Sequence, residues 1–141
     1  MITFDFQTSL NFNPDIQHKQ WLKTVIRHEG LMPGDISYLF CDDEFLLVQN
    51  QKFLNHDTLT DIITFDKCYD NIVSGDIMIS ADRILENAQI FKVSFEREFL
   101  RVVAHGVLHL CGYKDKSDED AKVMRQKENE SLALWDAMFK M

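Results

Sequence analysis

Residues 105–116, "HGVLHLCGYKDK", gather the side chains best suited to hold a metal ion. His105 and His109 stand four apart, which on a helix leaves them about 40° apart around the axis, so both rings can meet at one point. Gly112 follows as a residue able to take a positive φ and end that helix. The chain then turns, and Asp115 has the reach to come back toward the two imidazoles. Two imidazoles, a carboxylate and one open position is how catalytic zinc is usually held. Such a centre stays net positive, able to acidify a water or polarise a phosphoryl oxygen. The same donor set accepts other divalent ions. A bare HxxxH pair in so apolar a segment equally describes a buried helix. The glycine break and the carboxylate favour the metal, as does the need of buried imidazoles for partners. Cys111 lies about 200° around the helix from His109, on the opposite, core-facing side. Zinc proteases place a glutamate directly after the first histidine as general base. Here that place is Gly106, so no general base is named and peptide hydrolysis by that mechanism is disfavoured.

Upstream, Arg97 and Arg101 continue the four-residue spacing, so one face reads Arg97, Arg101, His105, His109, winding about 120° over its length. Two like charges so spaced cost the helix a few tenths of a kcal/mol. The face reads either as a track for a phosphodiester backbone or as a row paired with acids such as Glu96 and Glu98. Arg101, one turn from His105, is the better candidate for a substrate contact. Lys114 and Lys116 flank Asp115, close enough to steer a phosphate. The charged run "KSDEDAKVMRQKENE" reads as a solvated helix face.

These side chains need elements to position them. "ITFDFQT" alternates apolar and polar residues as a half-buried strand does. Asn13 is placed to cap a helix whose first residue is Pro14, with Trp21, Leu22, Val25 and Ile26 as its apolar stripe and Gly30 as its end. "ISYLFC" reads as a second strand, and Asp42 or Asp43 starts a helix through "EFLLVQNQKFL". "DIITFD" and "GDIMIS" read as two further strands, the latter introduced by Gly75. Ser80 caps a helix carrying Ile84, Leu85 and Ala88; Ser94 caps the histidine helix; Ser117 with Asp120 resembles a capping box for the last. The order β-α-β-α-β-β-α-α-α lacks the rhythm of a doubly wound sheet, so the fold class is α+β: a small mixed sheet packed by helices.

The 141 residues fit one domain, 1–141, without repeat or linker, and an apolar fraction of 45% with eleven phenylalanines supplies a core. No apolar run is long enough for a membrane span, and the N-terminal residues lack the pattern of a signal peptide. Three scattered cysteines with no CxxC pair fit a reducing cytoplasm, the expected location. The formal charge of −8 argues against nucleic-acid binding in general, so any RNA reading needs a local basic path.

Three blocks carry a family likeness. "HGVLHLCGYKD" resembles the HGxLHLxGYDH signature of the YbeY family, bacterial metal-dependent endoribonucleases linked to ribosomal RNA maturation. "NQKFLNHDTLTDIITF" resembles the family's N-x-x-[YF]-R-x-x-D-x-x-T-[DN]-V-L-S-F, and "SGDIMIS" its L-G-D-I-x-I-[SC] strand. The resemblance implies a small α+β fold with a zincin-like metal helix, one zinc ion as cofactor and no small organic cofactor. It implies single-stranded RNA as substrate, in 16S ribosomal RNA 3′-end maturation and ribosome quality control, with the small ribosomal subunit as partner. The first two family ligands fall on His105 and His109. The third, a histidine in most members, falls without a gap on Asp115, and Lys114 occupies the family's aspartate position. The arginine that follows the family's Tyr/Phe is matched by Leu54, with Lys52 and His56 the nearest cations to replace it. Two other readings stand beside the nuclease: a ribosome-associated assembly factor whose metal is structural, and a zincin-type peptidase.

Overall fold

The computed structural model describes residues 1–8, 12–54 and 61–139. Its elements follow the expected order: β1 (Ile2–Phe6), α1 (Ile16–His28), β2 (Met32–Cys41), α2 (Asp43–Leu54), β3 (Ile62–Asp66), β4 (Ile72–Ser80), α3 (Ala81–Ile90), α4 (Phe95–Leu110) and α5 (Asp118–Phe139). The strands form one mixed sheet in the order β1-β2-β4-β3, in which β1 and β4 run parallel to β2 and β3 runs antiparallel to β4. The result is a small α+β domain.

Helix α4 is the organising element. Phe99, Leu100, Val103, Ala104, Val107 and Leu108 are buried in the main core with Ile36, Tyr38, Phe40, Ile77 and Ile79 of the sheet. Tyr38 donates its buried hydroxyl to the Val103 carbonyl at 2.8 Å, pinning helix to strand. Across the other flank, Trp21 of α1 donates its indole N–H to the Ser131 carbonyl of α5 at 2.8 Å and meets Trp135 edge-on, with centroids 5.6 Å apart. Each bond removes an unmet polar group from an apolar interior.

Three boundaries differ from the sequence reading, each for a physical reason. Helix α1 begins at Ile16, capped by Asp15 rather than Asn13: Asp15 accepts from the backbone, and His18 at the third helical position reciprocates. Strand β2 begins four residues early, through Pro33. A proline is tolerated there because the pairing with β1 starts only at Ile36, so that part of β2 is still an edge. Strand β4 begins at Ile72 and runs through Gly75, which does not introduce it. A Cβ at Gly75 would sit 2.5 Å from the Phe65 carbonyl oxygen and 3.1 Å from Leu110 Cδ2, so the glycine admits β3 and α4 to close range. The caps at Ser80 and Ser94 stand where expected, accepting from Arg83 and Arg97 N–H.

Candidate metal centre

The apolar stripe of α4 fixes its rotation, leaving His105 and His109 on the half-exposed flank. Gly106, between them, faces the sheet: a Cβ there would lie 3.0 Å from Ile77 Cγ2 and 3.1 Å from Ile62 Cδ1. A glutamate at this position would be driven into the core, which explains in structural terms why the protease-type base is missing.

The helix ends in a Schellman motif. Tyr113 N–H bonds to the Leu108 carbonyl at 3.1 Å and Gly112 N–H to the His109 carbonyl at 3.0 Å, with Gly112 at φ +110°. Cys111 caps the helix half-buried against the core, on the side expected of it. The reversal brings the Tyr113 carbonyl to 2.9 Å from His109 Nδ1 and Asp115 back over both rings. Tyr113 is itself held: its hydroxyl donates to Glu29, which also accepts from Lys127, and the Lys127 ammonium lies 5.5 Å from the centre of the Tyr113 ring.

His105 Nδ1 is 2.7 Å from Glu128 Oε2, and Glu128 Oε1 accepts from Arg101 at 3.0 Å. A carbonyl and a carboxylate only accept, so both histidines carry their protons on Nδ1 and turn Nε2 lone pairs inward. These two Nε2 atoms stand 3.0 Å apart, and Asp115 Oδ2 is 3.3 Å from one and 3.4 Å from the other. A tetrahedral ion about 2.0–2.2 Å from each ligand atom would set them roughly 3.3–3.6 Å apart. The observed triangle matches that to a few tenths of an ångström, so these residues fit a divalent ion. They are the one such group among the described residues.

The surrounding charges are arranged in layers. Burial alone would lower the His105 pKa, but the hydrogen bond and charge of Glu128, with Asp115 and Asp61, raise it above the ordinary histidine value. Burial alone would raise Glu128, yet His105, Arg101 and Arg125 hold it below the usual carboxylate range.

Glu128 corrects the reading of its segment. The run 116–130 is not merely a solvated face: Met124 and Glu128 are buried, and Glu128 reaches the Nδ1 side of His105. The row of arginines is also revised. Arg97 makes a two-pronged pair with Asp136 at 2.9 and 3.1 Å, and Arg101 bonds to Glu128, so the hydrogen-bonded partners come from α5 rather than from Glu96 and Glu98. Arg101 still lies beside His105, lining the same cleft. Lys114 is exposed on the turn that carries Asp115, and Lys52 is exposed in the last turn of α2. His56 and the side chain of Leu54 lie outside the described residues.

Comparison with known proteins gives a consistent result. The family described as endoribonuclease YbeY matches residues 5–136. The endoribonuclease YbeY of Flavobacterium johnsoniae is 51% identical over 135 residues, covering 96% of this chain and 97% of that one. That of Flavobacterium psychrophilum is 50% identical, with 96% of each chain covered. Among solved structures, the solution structure of TM1509 from Thermotoga maritima superposes with a TM-score of 0.68 at 25% identity, covering 99% of this chain and 92% of that one.

Proposed function

This chain belongs to the endoribonuclease YbeY family, and on that premise we propose that it cuts single-stranded RNA at one divalent ion, zinc, held by His105, His109 and Asp115. The observation that carries the reading is the convergence of two Nε2 lone pairs and a carboxylate oxygen on one point while both Nδ1 atoms are occupied. Three electron-rich atoms about 3 Å apart need a positive centre between them, a metal ion or, in its absence, a proton on His105 Nε2.

The ion, when bound, supplies Lewis acidity toward a phosphoryl oxygen of the substrate. The chain's own residues do the rest. Glu128 orients His105 and raises its basicity as a ligand, and the Tyr113 carbonyl does the orienting for His109. Asp115 brings an anionic donor on a turn, leaving the fourth direction for substrate. Arg101 and Lys114 offset phosphate charge at the flanks, with Lys52 and His56, two residues either side of Leu54 in sequence, as further cations. Ribosomal RNA, at the 3′ end of 16S RNA on the small subunit, is the substrate proposed from the family likeness, and the cytoplasm the location. Among the described residues no helix is long and apolar enough to cross a membrane.

The test is His109→Ala beside wild type. Metal content and cleavage of an unstructured fluorescent RNA are expected to vanish together while the far-ultraviolet circular dichroism is retained. Full nuclease activity in that variant would refute the proposal. Leucine at position 54 favours one second reading, an assembly factor with a structural metal. It predicts metal-loaded protein that co-sediments with small subunits and cuts no RNA.

A further inference from the structure

Beside the metal centre, residues of α3, α4 and α5, with Asp61, line a cleft of about 210 Å³ that His105 also borders. Its walls include Glu98, Asn87, Phe91, Arg101, Arg125 and Asp61, with His105 and Glu128 at the end nearest the metal centre. Glu98 is 4% exposed and lines the cleft; its carboxylate takes no hydrogen bond from the described residues, and its oxygens are not among the sealed, unpartnered atoms, so they open toward the cleft. Burial pushes its pKa up, with Glu128 and Asp61 adding to the rise, while Arg101 and Arg125 only oppose it from a distance. A carboxylate in the wall of a cleft with no protein donor of its own is open to a ligand that brings donors.

The ligand class follows from the lining. Three carboxylates (Asp61, Glu98, Glu128) face two guanidiniums (Arg101, Arg125), and Arg101 is already bonded to Glu128. Next to Glu98 itself an anion is therefore disfavoured, and Glu98 belongs to no ligand group for a second metal among the described residues. The volume falls below the roughly 300–1,000 Å³ of sites for drug-sized molecules and suits a single base. Phe91, 55% exposed at the rim, offers a ring face of the kind on which unpaired bases stack. Guanine alone among the four bases presents two neighbouring N–H donors, N1–H and N2–H, to one carboxylate.

We propose that this cleft is a base subsite that takes a guanine of the RNA strand next to the cleaved phosphodiester, Glu98 accepting from its Watson–Crick edge and Phe91 stacking on it. The proposal rests on the endoribonuclease reading for its role, but binding can be read without cleavage. A good two-pronged contact to a base discriminates by about 5- to 150-fold. Amide-shift titrations of metal-loaded protein with guanosine and with uridine, which carry no phosphate to reach the metal, are expected to move α3 and α4 residues for guanosine at far lower concentration. Glu98→Gln should remove that preference, and Phe91→Ala should weaken guanosine binding about fivefold or more. In cleavage of a mixed-sequence oligonucleotide, the ratio of guanine-adjacent to uridine-adjacent cuts should fall about tenfold in Glu98→Gln. Equal binding of the two nucleosides, or wild-type guanosine binding in Phe91→Ala, overturns the subsite even if RNA is cut efficiently. Guanosine-selective binding lost in Glu98→Gln, in a protein that cuts no RNA, supports the subsite and overturns the nuclease reading instead.

Discussion

Glu128 is the residue whose removal separates a metal centre from an incidental pair of histidines. It is 5% exposed, is not itself one of the three proposed ligands, and accepts from His105 Nδ1 at 2.7 Å and from Arg101 at 3.0 Å. Glu128→Gln keeps an oxygen of similar reach but removes the charge that makes His105 a stronger donor to a cation. Glu128→Ala leaves both His105 Nδ1 and Arg101 without their acceptor. Carboxylates behind ligating histidines typically contribute 10- to 100-fold in metal affinity. The glutamine variant is therefore placed near tenfold, about 1.4 kcal/mol, and the alanine variant near 100-fold, about 2.7 kcal/mol. The alanine variant should also lose about 2 kcal/mol of metal-free stability, because hydrogen bonds to charged groups contribute about that much. Competition with a chromophoric chelator measures the first quantity and urea unfolding in the presence of EDTA the second. Glu119→Gln, exposed near the start of the same helix, serves as control. A metal affinity within twofold of wild type in Glu128→Ala would sink the reasoning, since it would mean that His105 is not a ligand or that its orientation is irrelevant.

Gly106→Ala should lower stability by about 1–3 kcal/mol, read as a fall in Tm, because the new methyl meets Ile77 and Ile62 at 3.0 and 3.1 Å; an unchanged Tm would contradict the packing described. Arg97→Ala should change stability by less than about 1 kcal/mol, its pair with Asp136 being about one-third exposed, and leave RNA affinity unaltered in a binding assay. A clear loss of RNA affinity would restore the phosphate track. The folded pKa of His105 is raised above its unfolded value of about 6.5, so its protonation stabilises the metal-free protein fully below about pH 6.5 and that contribution is lost as pH rises through the folded value. Metal binding needs the deprotonated ring, so melting temperatures with metal and with EDTA should diverge as pH rises; parallel curves would argue against His105 as a ligand.

The parts of this molecule that were legible in its sequence are those set by neighbours along the chain. Ser80 and Ser94 cap helices through bonds three residues away, and Gly112 reverses the chain through its own φ, so each announced itself locally. His105, His109 and Asp115 fall within eleven residues, and their convergence needed only helix geometry and one turn. Glu128 was invisible for the opposite reason. It lies 23 residues from His105, inside a run of mixed charge, and only the packing of α5 on α4 buries it. The partners of Arg97 and Arg101 were missed on the same account, since acids on their own helix competed as explanations. The first residues of β2 are not legible locally, because proline normally argues against a central strand and no local signal tells that the pairing with β1 starts only at Ile36. The start of α1 is ambiguous in the sequence because Asn13 and Asp15 are both capping residues, and the choice between them depends on His18 returning to Asp15.

X-ray absorption at the metal edge of the purified, metal-loaded protein tests the central claim most directly. The account predicts two imidazole nitrogens at about 2.0–2.1 Å and a carboxylate oxygen at about 2.0–2.2 Å. A shell of sulfur at about 2.3 Å, or one of oxygen alone with no imidazole scattering, would contradict it.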